Sequence, residues 1–363
     1  MSRPTRRLHR RLPAALAVAT LCLSLILPGY TLAGERDRFS IAWSIYVGWM
    51  PWGYGAAEGI IDKWADKYGI TIDVVQINDY IESINLYTAG RFDGVTLTNM
   101  DALTIPAAGG VDTTALIIGD FSSGNDGVVL KGSDDLKSIR GQRVHLVELS
   151  VSHYLLARAL DSVGMSERDI RVVNTSDADI VAAFQSRGVQ AAVTWNPQLE
   201  EIRRQPGAHV VFDSSRIPGE IIDMLGVNTA VLEANPRFGK ALVGAWYEIM
   251  ARMFGEDEAA RQARAAMGDA AGTDLAGYEA QLASTTFFHD PSEAVAFITG
   301  PQPMETMEKV RQFAFQHGLL GERAASADFV GIAFPDGSVL GSPDNVRLRF
   351  DASFMRMAAD GEL

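Results

Sequence analysis

Gly127-Val128-Val129-Leu130-Lys131-Gly132-Ser133-Asp134-Asp135-Leu136-Lys137-Ser138 is where one series of alternating strands and helices stops and a second begins. The apolar, β-branched run ends at Leu130, and the polar segment through Ser138 breaks the pattern. Upstream, residues 39–44 read as a strand. Ala57, Ile60, Ile61, Trp64 and Tyr68 then predict a helix over 55–68, closed by Gly69, with Trp64 in the core. Residues 70–77 are the next strand, Asn78 or Asp79 caps a helix that Ala89-Gly90 closes, and 95–98 and 114–118 are further strands. Downstream, strands at 143–147, 170–173, 191–194 and 209–212 alternate with helices at 151–163 and 178–187. Residues 224–227 lead back, and from Asn235-Pro236 the chain is mostly helical. The pattern is α/β. A crossing near Val128 and a return near Val227 predict a two-lobed clamshell, mainly parallel sheets with helices on both faces. The expected division is 34–129 plus 228–363 for lobe 1, with the C-terminal helices, and 130–227 for lobe 2.

The first 33 residues read as an export signal: Arg3, Arg6, Arg7, Arg10 and Arg11, an apolar run over 12–27, and a small-x-small cleavage site ending at Ala33. The single cysteine, Cys22, falls inside it, so the exported chain rests on its hydrophobic core rather than on disulfides. The sequence holds 32 Lys and Arg against 45 Asp and Glu; without the five leader arginines, 27 stand against 45, a net charge near −18. That balance argues against nucleic acid and anionic membrane surfaces as partners.

Ligands of open α/β sheets lie beyond the carboxyl ends of the strands. The first such place is W-S-I-Y-V-G-W-M-P-W-G-Y at 43–54, an uncharged stretch holding Trp43, Tyr46, Trp49, Trp52 and Tyr54. Read as a loop, it offers a wall of π-faces suited to a cation. The other strand ends contribute Asn99, Asp101, Asp120, Glu148, Ser150, Trp195 and Asp223. Asp126 is expected to make a turn with Gly127. His145 and His153 are not at metal spacing, and no metal or cofactor is expected. Enzyme signatures are missing: there is no H-E-x-x-H, G-x-x-x-x-G-K-[ST] or G-x-S-x-G.

W-x-P-W-G at 49–53, D-Y-I-E-S-I-N-L-Y-T-A-G at 79–90, F-D-G-V at 92–95 and D-G-V-V at 126–129 occur in order. They are followed by L-S-V-S-H-Y-L-L at 149–156, V-T-W-N-P at 193–197 and L-G-V-N-T-A-V-L-E-A-N-P at 225–236. On these motifs the chain, from Ile41 to about Phe315, resembles the periplasmic solute-binding proteins of the nitrate/taurine/sulfonate class of ABC transporters. More narrowly it resembles the branch encoded beside urea carboxylase, a group reinterpreted as acting on guanidine. The resemblance implies a type II-like clamshell and a small planar ligand, guanidinium or urea. It also implies an ABC permease of the inner membrane as partner, a periplasmic location, no catalysis and a monomer.

Sulfonate-binding relatives hold their anion at a strand end leading into a helix. The matching stretch here is Val147-Glu148-Leu149-Ser150-Val151-Ser152-His153, in which Ser150 caps the helix and Glu148 puts a carboxylate at the mouth. The expectation is a preference inverted towards a cation, with carboxylates at the edges of a guanidinium and rings on its faces. Trp195 is expected to stack from the second lobe. Urea, a sulfonate or another small solute, a periplasmic hydrolase and a sensor module stay open as alternatives.

Overall fold

The computed structural model describes residues 36–363, so the expected leader, Cys22 and the cleavage site at Ala33 lie outside the described residues. The strands are β1 (Arg38–Trp43), β2 (Thr71–Gln76), β3 (Gly94–Thr98), β4 (Thr113–Ser122), β5 (Asp126–Lys131), β6 (Arg143–Leu146) and β7 (Arg171–Asn174). They continue with β8 (Ala191–Trp195), β9 (Ala208–Asp213), β10 (Ile222–Asn228), β11 (Thr285–Phe287), β12 (Gly331–Ala333), β13 (Val339–Leu340) and β14 (Val346–Phe350). A larger sheet runs β13-β12-β14-β4-β10-β3-β1-β2, with β11 beside β4, and a smaller one runs β7-β6-β8-β5-β9. The fold is the two-lobed α/β clamshell.

The sheets are mixed where mainly parallel ones were expected. β5 is antiparallel to both β8 and β9, and β10 is antiparallel to both β3 and β4. The reason is geometric: a strand arriving from the other lobe enters its sheet at the end where the resident strands leave. Sheet membership puts the crossing between Ser122 and Asp126 and the return between Asp213 and Ile222. The sequence had set those divisions at 129/130 and 227/228. In register, Asp223 lies opposite Thr98 and Asp120, and Asp126 lies opposite Trp195. Each crossing strand thus begins with a carboxylate at the seam.

The aromatic stretch is not one loop. Pro51 sits in the first turn of a helix, Met50–Ala57, and a second helix, Ile60–Lys67, follows Gly59 at φ 69, a left-handed conformation that glycine adopts without strain. Trp64 is half-buried; its ring lies against Gly244, and its Nε1 donates to Glu248 Oε2 at 2.6 Å. β4 runs to Ser122 because β10 and β11 pair with its far half, so Asp120 lies inside a strand. Beyond 318, β12 and β13 form the hairpin around Gly337, and β14 inserts between β12 and β4 to widen the larger sheet.

Trp52 is 1 % exposed and stacks on Trp246 with ring centroids 5.1 Å apart. Trp52→Ala should destabilise the protein by about 3–5 kcal/mol. Scanning calorimetry should show a clearly lower Tm, with Tyr54→Ala, at a half-buried ring, costing less. Equal losses would contradict this placement of the two rings.

Candidate functional site

The crossing strands and the resident strand ends enclose a cavity of about 10 Å³, the room of one water-sized sphere. Tyr46, Trp49, Tyr80, Thr98, Ile221 and Asp223 line it from the larger sheet, and Asp126, Val151 and Trp195 from the smaller. Four rings run in sequence around it. Tyr46 meets Trp49 edge-on at 4.8 Å, Trp49 is tilted to Tyr80 at 5.4 Å, and Tyr80 meets Trp195 edge-on at 5.6 Å. The last contact joins the two lobes.

Around the rings stand four aspartates, Asp101, Asp120, Asp126 and Asp223, none more than 3 % exposed. Among the described residues no Arg, Lys or His is hydrogen-bonded or ion-paired to any of them. Tyr80 donates its hydroxyl proton to Asp101 Oδ2 at 2.7 Å and Thr98 Oγ1 donates to the same oxygen at 2.9 Å, while Asp101 Oδ1 is buried without a hydrogen-bond partner. Val151, which lines the cavity from the smaller lobe, opens the helix Val151–Ser162. Ser122 Oγ donates to Asp126 Oδ2 at 2.5 Å.

Tyr46 exposes the electrostatic problem. Its hydroxyl oxygen is 2.8 Å from Asp120 Oδ1 and 3.0 Å from Asp223 Oδ2, yet it has one proton to give. With nothing cationic in place, one of the two carboxyls has to hold a proton as well. Burial pushes Asp101 and Asp126 up to about 6 and Asp120 to about 7, against the hydrogen bonds that favour their ionised forms. Asp223 is raised well above the usual carboxylate range by burial and then by the charges of Asp120 and Asp126. The close approach needs Gly48, where a Cβ would come within 2.4 Å of both Asp120 Oδ2 and Tyr46 Cε1.

Of the residues expected from sequence, Tyr46, Trp49, Trp195 and Asp223 line the cavity, and Asp101 and Asp120 stand behind its tyrosines. Trp43, Trp52 and Tyr54 do not line it. Trp43 lies against Gly53, Trp52 packs on Trp246, and Tyr54 sits half-buried on the Met50–Ala57 helix. Asn99 is an internal staple: its Nδ2 donates to Glu220 O at 3.2 Å and its Oδ1 accepts from Ile222 N at 3.1 Å. Ser150 caps its helix by accepting from Ser152 N at 3.2 Å. Glu148 is exposed in a shallow seam depression with Asp79, Glu82 and Asp177, because the chain turns at Leu149 (φ 65) before the helix begins. The residues that sequence reasoning missed are Tyr80, Thr98, Asp126, Val151 and Ile221. Asp126 makes no turn; it starts β5, opposite Trp195. Tyr80 carried a usable signal, a large ring directly after the helix cap Asp79 at a strand end.

Among the described residues no helix is long and apolar enough to cross a membrane. The fold is shared with the alkanesulfonate-binding protein SsuA from Xanthomonas axonopodis pv. citri bound to MOPS. The TM-score is 0.65 at 16 % identity, covering 81 % of this chain and 98 % of that one. It is also similar to the periplasmic nitrate-binding protein NrtA from Synechocystis PCC 6803, with a TM-score of 0.56 at 13 % identity over 91 % of this chain and 99 % of that one. In sequence it is 21 % identical over 186 residues to the taurine-binding periplasmic protein of Escherichia coli, 50 % of this chain and 57 % of that one. It is 26 % identical over 144 residues to a protein of Brucella abortus described as a binding protein, 39 % of this chain and 44 % of that one. The chain thus spans about half the length of these relatives. The family model of the NMT1-like family matches residues 43–268, and the chain belongs to that family.

Proposed function

We propose that the chain is the periplasmic solute-binding component of an ABC importer, a monomer that closes two lobes over guanidinium and presents it to an inner-membrane permease. The family and the binding roles of its relatives support the transport role. The observation that carries the ligand is the set of four buried aspartates without a basic partner among the described residues. A guanidinium ion supplies the missing charge, has N–H donors around one plane and no acceptor, and offers its faces to aromatic rings. A sulfonate or nitrate would meet like charge in a desolvated site. Once the lobes part enough to widen a cavity that has the room of one water-sized sphere, Asp126 and Asp223 meet the ligand, Asp101 and Asp120 act through Tyr80 and Tyr46, and Trp195 joins from the second lobe. Contacts from both lobes favour the closed state by population shift. No bond-making chemistry is assigned to the site.

Urea is the second reading. Trp49 Nε1 is buried without an acceptor and would donate to a carbonyl oxygen, which guanidinium lacks.

Titration calorimetry with guanidinium, urea and taurine separates the readings, and binding of taurine alone would overturn the cation site. Asp223→Asn should weaken guanidinium about 10–100-fold and urea much less, since it removes charge while keeping shape. Glu148→Gln should change neither by more than about two-fold, because Glu148 is exposed outside the cavity. Equal losses of guanidinium and urea in Asp223→Asn would show that the site does not read charge.

The pH dependence has a definite sign. A bound cation lowers carboxyl pKa values that stand near 6 and 7 in its absence, so binding releases protons. Guanidinium affinity should rise with pH through the range of about 6 to 7 and fall at least about ten-fold from its neutral-pH value by pH 5. An affinity that rises on acidification would contradict a carboxylate site for a cation.

A further inference from the structure

The helix Gln302–Gln316 runs from the returning segment to the smaller lobe. Near its start, Gln302 Nε2 donates to Pro218 O at 2.9 Å and Thr306 Oγ1 to Gly219 O at 3.0 Å. Midway, Lys309 Nζ meets Glu220 Oε1 at 2.6 Å, and Glu220 also takes Arg158 Nε at 2.9 Å and the Tyr154 hydroxyl at 2.7 Å from the smaller lobe's helix. At its end, Phe313 stacks on His317 at 4.0 Å and meets Tyr154 edge-on at 5.3 Å. The helix is tied to the larger lobe, with Met307 Sδ 3.5 Å from Asn99 Nδ2.

His317 caps this helix and reaches across the seam. Its Nδ1 is 2.8 Å from Phe313 O, and its Nε2 is 2.9 Å from Glu167 Oε2, which belongs to the smaller lobe. Both partners are acceptors, and a neutral ring has one N–H to give, so only the doubly protonated ring satisfies both contacts. A cation is favoured at a helix C-terminus. The other carboxylate oxygen, Glu167 Oε1, is 2.6 Å from His153 Nε2, and His153 Nδ1 accepts the Leu149 N–H at 3.0 Å. With Nδ1 accepting, the neutral ring's N–H is at Nε2, which approaches Glu167 Oε1 out of hydrogen-bonding line. That proton blocks the alternative reading of His153, Glu167 and His317 as a metal set, although their ligand atoms lie within 4.8 Å of one another. Burial raises the Glu167 carboxyl, but its contacts with His153 and His317 outweigh it and hold it below its ordinary value. The other charged groups facing this seam are Arg158, Asp161 and Lys309; Arg158 and Lys309 are engaged by Glu220, and Arg158 Nη1 lies 3.9 Å from Asp161 Oδ2.

We propose that His317 and Glu167 form a proton-dependent latch between the lobes, closed while His317 is an imidazolium and weakened when it loses a proton. The latch rests on the reading of the chain as a two-lobed binding protein, and it concerns closure rather than ligand identity. Histidine changes charge between pH 5 and 8. A group protonated through an inter-lobe contact stabilises the closed form at low pH and gives that stabilisation up as pH rises. The latch therefore opposes the ligand site, where acid weakens a cation's hold.

The test uses the full chain with Cys22, its one cysteine, replaced by serine and spin labels at Asp62→Cys and Gln185→Cys, exposed positions on the two lobes. Inter-lobe distances are read by double electron–electron resonance without ligand, from pH 8 to 5.5. The closed-to-open ratio should rise on acidification about five-fold more in the otherwise unaltered protein than in His317→Gln. Glu167→Gln should flatten the profile in the same way, while the buried aspartates contribute equally to all three. Identical profiles in all three proteins, with distances still shortened by added guanidinium or urea, would overturn the latch and leave the binding-protein reading intact. A single distance unmoved by pH and by either solute would overturn both.

Discussion

Four carboxylates are buried at the seam of the two lobes, and among the described residues no base neutralises them. Desolvated charge of one sign is costly, and a site built this way either holds protons or waits for a cation. The topology creates the arrangement. β5 and β10 enter their sheets antiparallel to their neighbours, so Asp126 and Asp223, near the strand starts, lie beside resident strand ends rather than on the outer rims. The same crossing that divides the chain into two lobes also concentrates negative charge between them.

The rings limit how that charge can be used. Tyr46 and Tyr80 each give a proton to a buried aspartate and line the cavity, so they couple the electrostatics to the shape of the site. Tyr80 touches Trp49 in its own lobe and Trp195 in the other, so separating the lobes breaks a ring contact beside the Asp101 that Tyr80 holds. Closure and ligand-site electrostatics are therefore one equilibrium. The strap of Gln302–Gln316, fixed to the returning segment at one end and to Glu167 at the other, adds an independent bias to it.

The sequence reading was strongest where physics is local. The end of β5 near Leu130 and the helix opened by Asp79 are set by near neighbours, and both were legible from composition and turn chemistry. Asp120, Asp223, Trp49 and Trp195 could be found because strand ends are where such folds bind. What was not legible depended on long-range geometry. Glu148 fell outside the cavity because of a left-handed turn at Leu149, and Asp126 was taken as a turn residue because its strand partner, Trp195, is far away in sequence. Trp43 and Trp52 were indistinguishable from Trp49 by type and neighbourhood. Only the helix beginning at Met50, and the packing of Trp246 against it, separates structural rings from lining ones. The His153–Glu167–His317 cluster joins residues up to 164 positions apart, which no short motif could reveal.

The most direct test of the charge account is the number of protons released when guanidinium binds. It is measured by calorimetry at pH 6.5 in buffers of different ionisation enthalpy. Carboxyls raised to about 6 and 7 by burial predict a net release on the order of half a proton or more per ligand, and none for urea. Guanidinium binding with no proton release, or with uptake, would contradict the account.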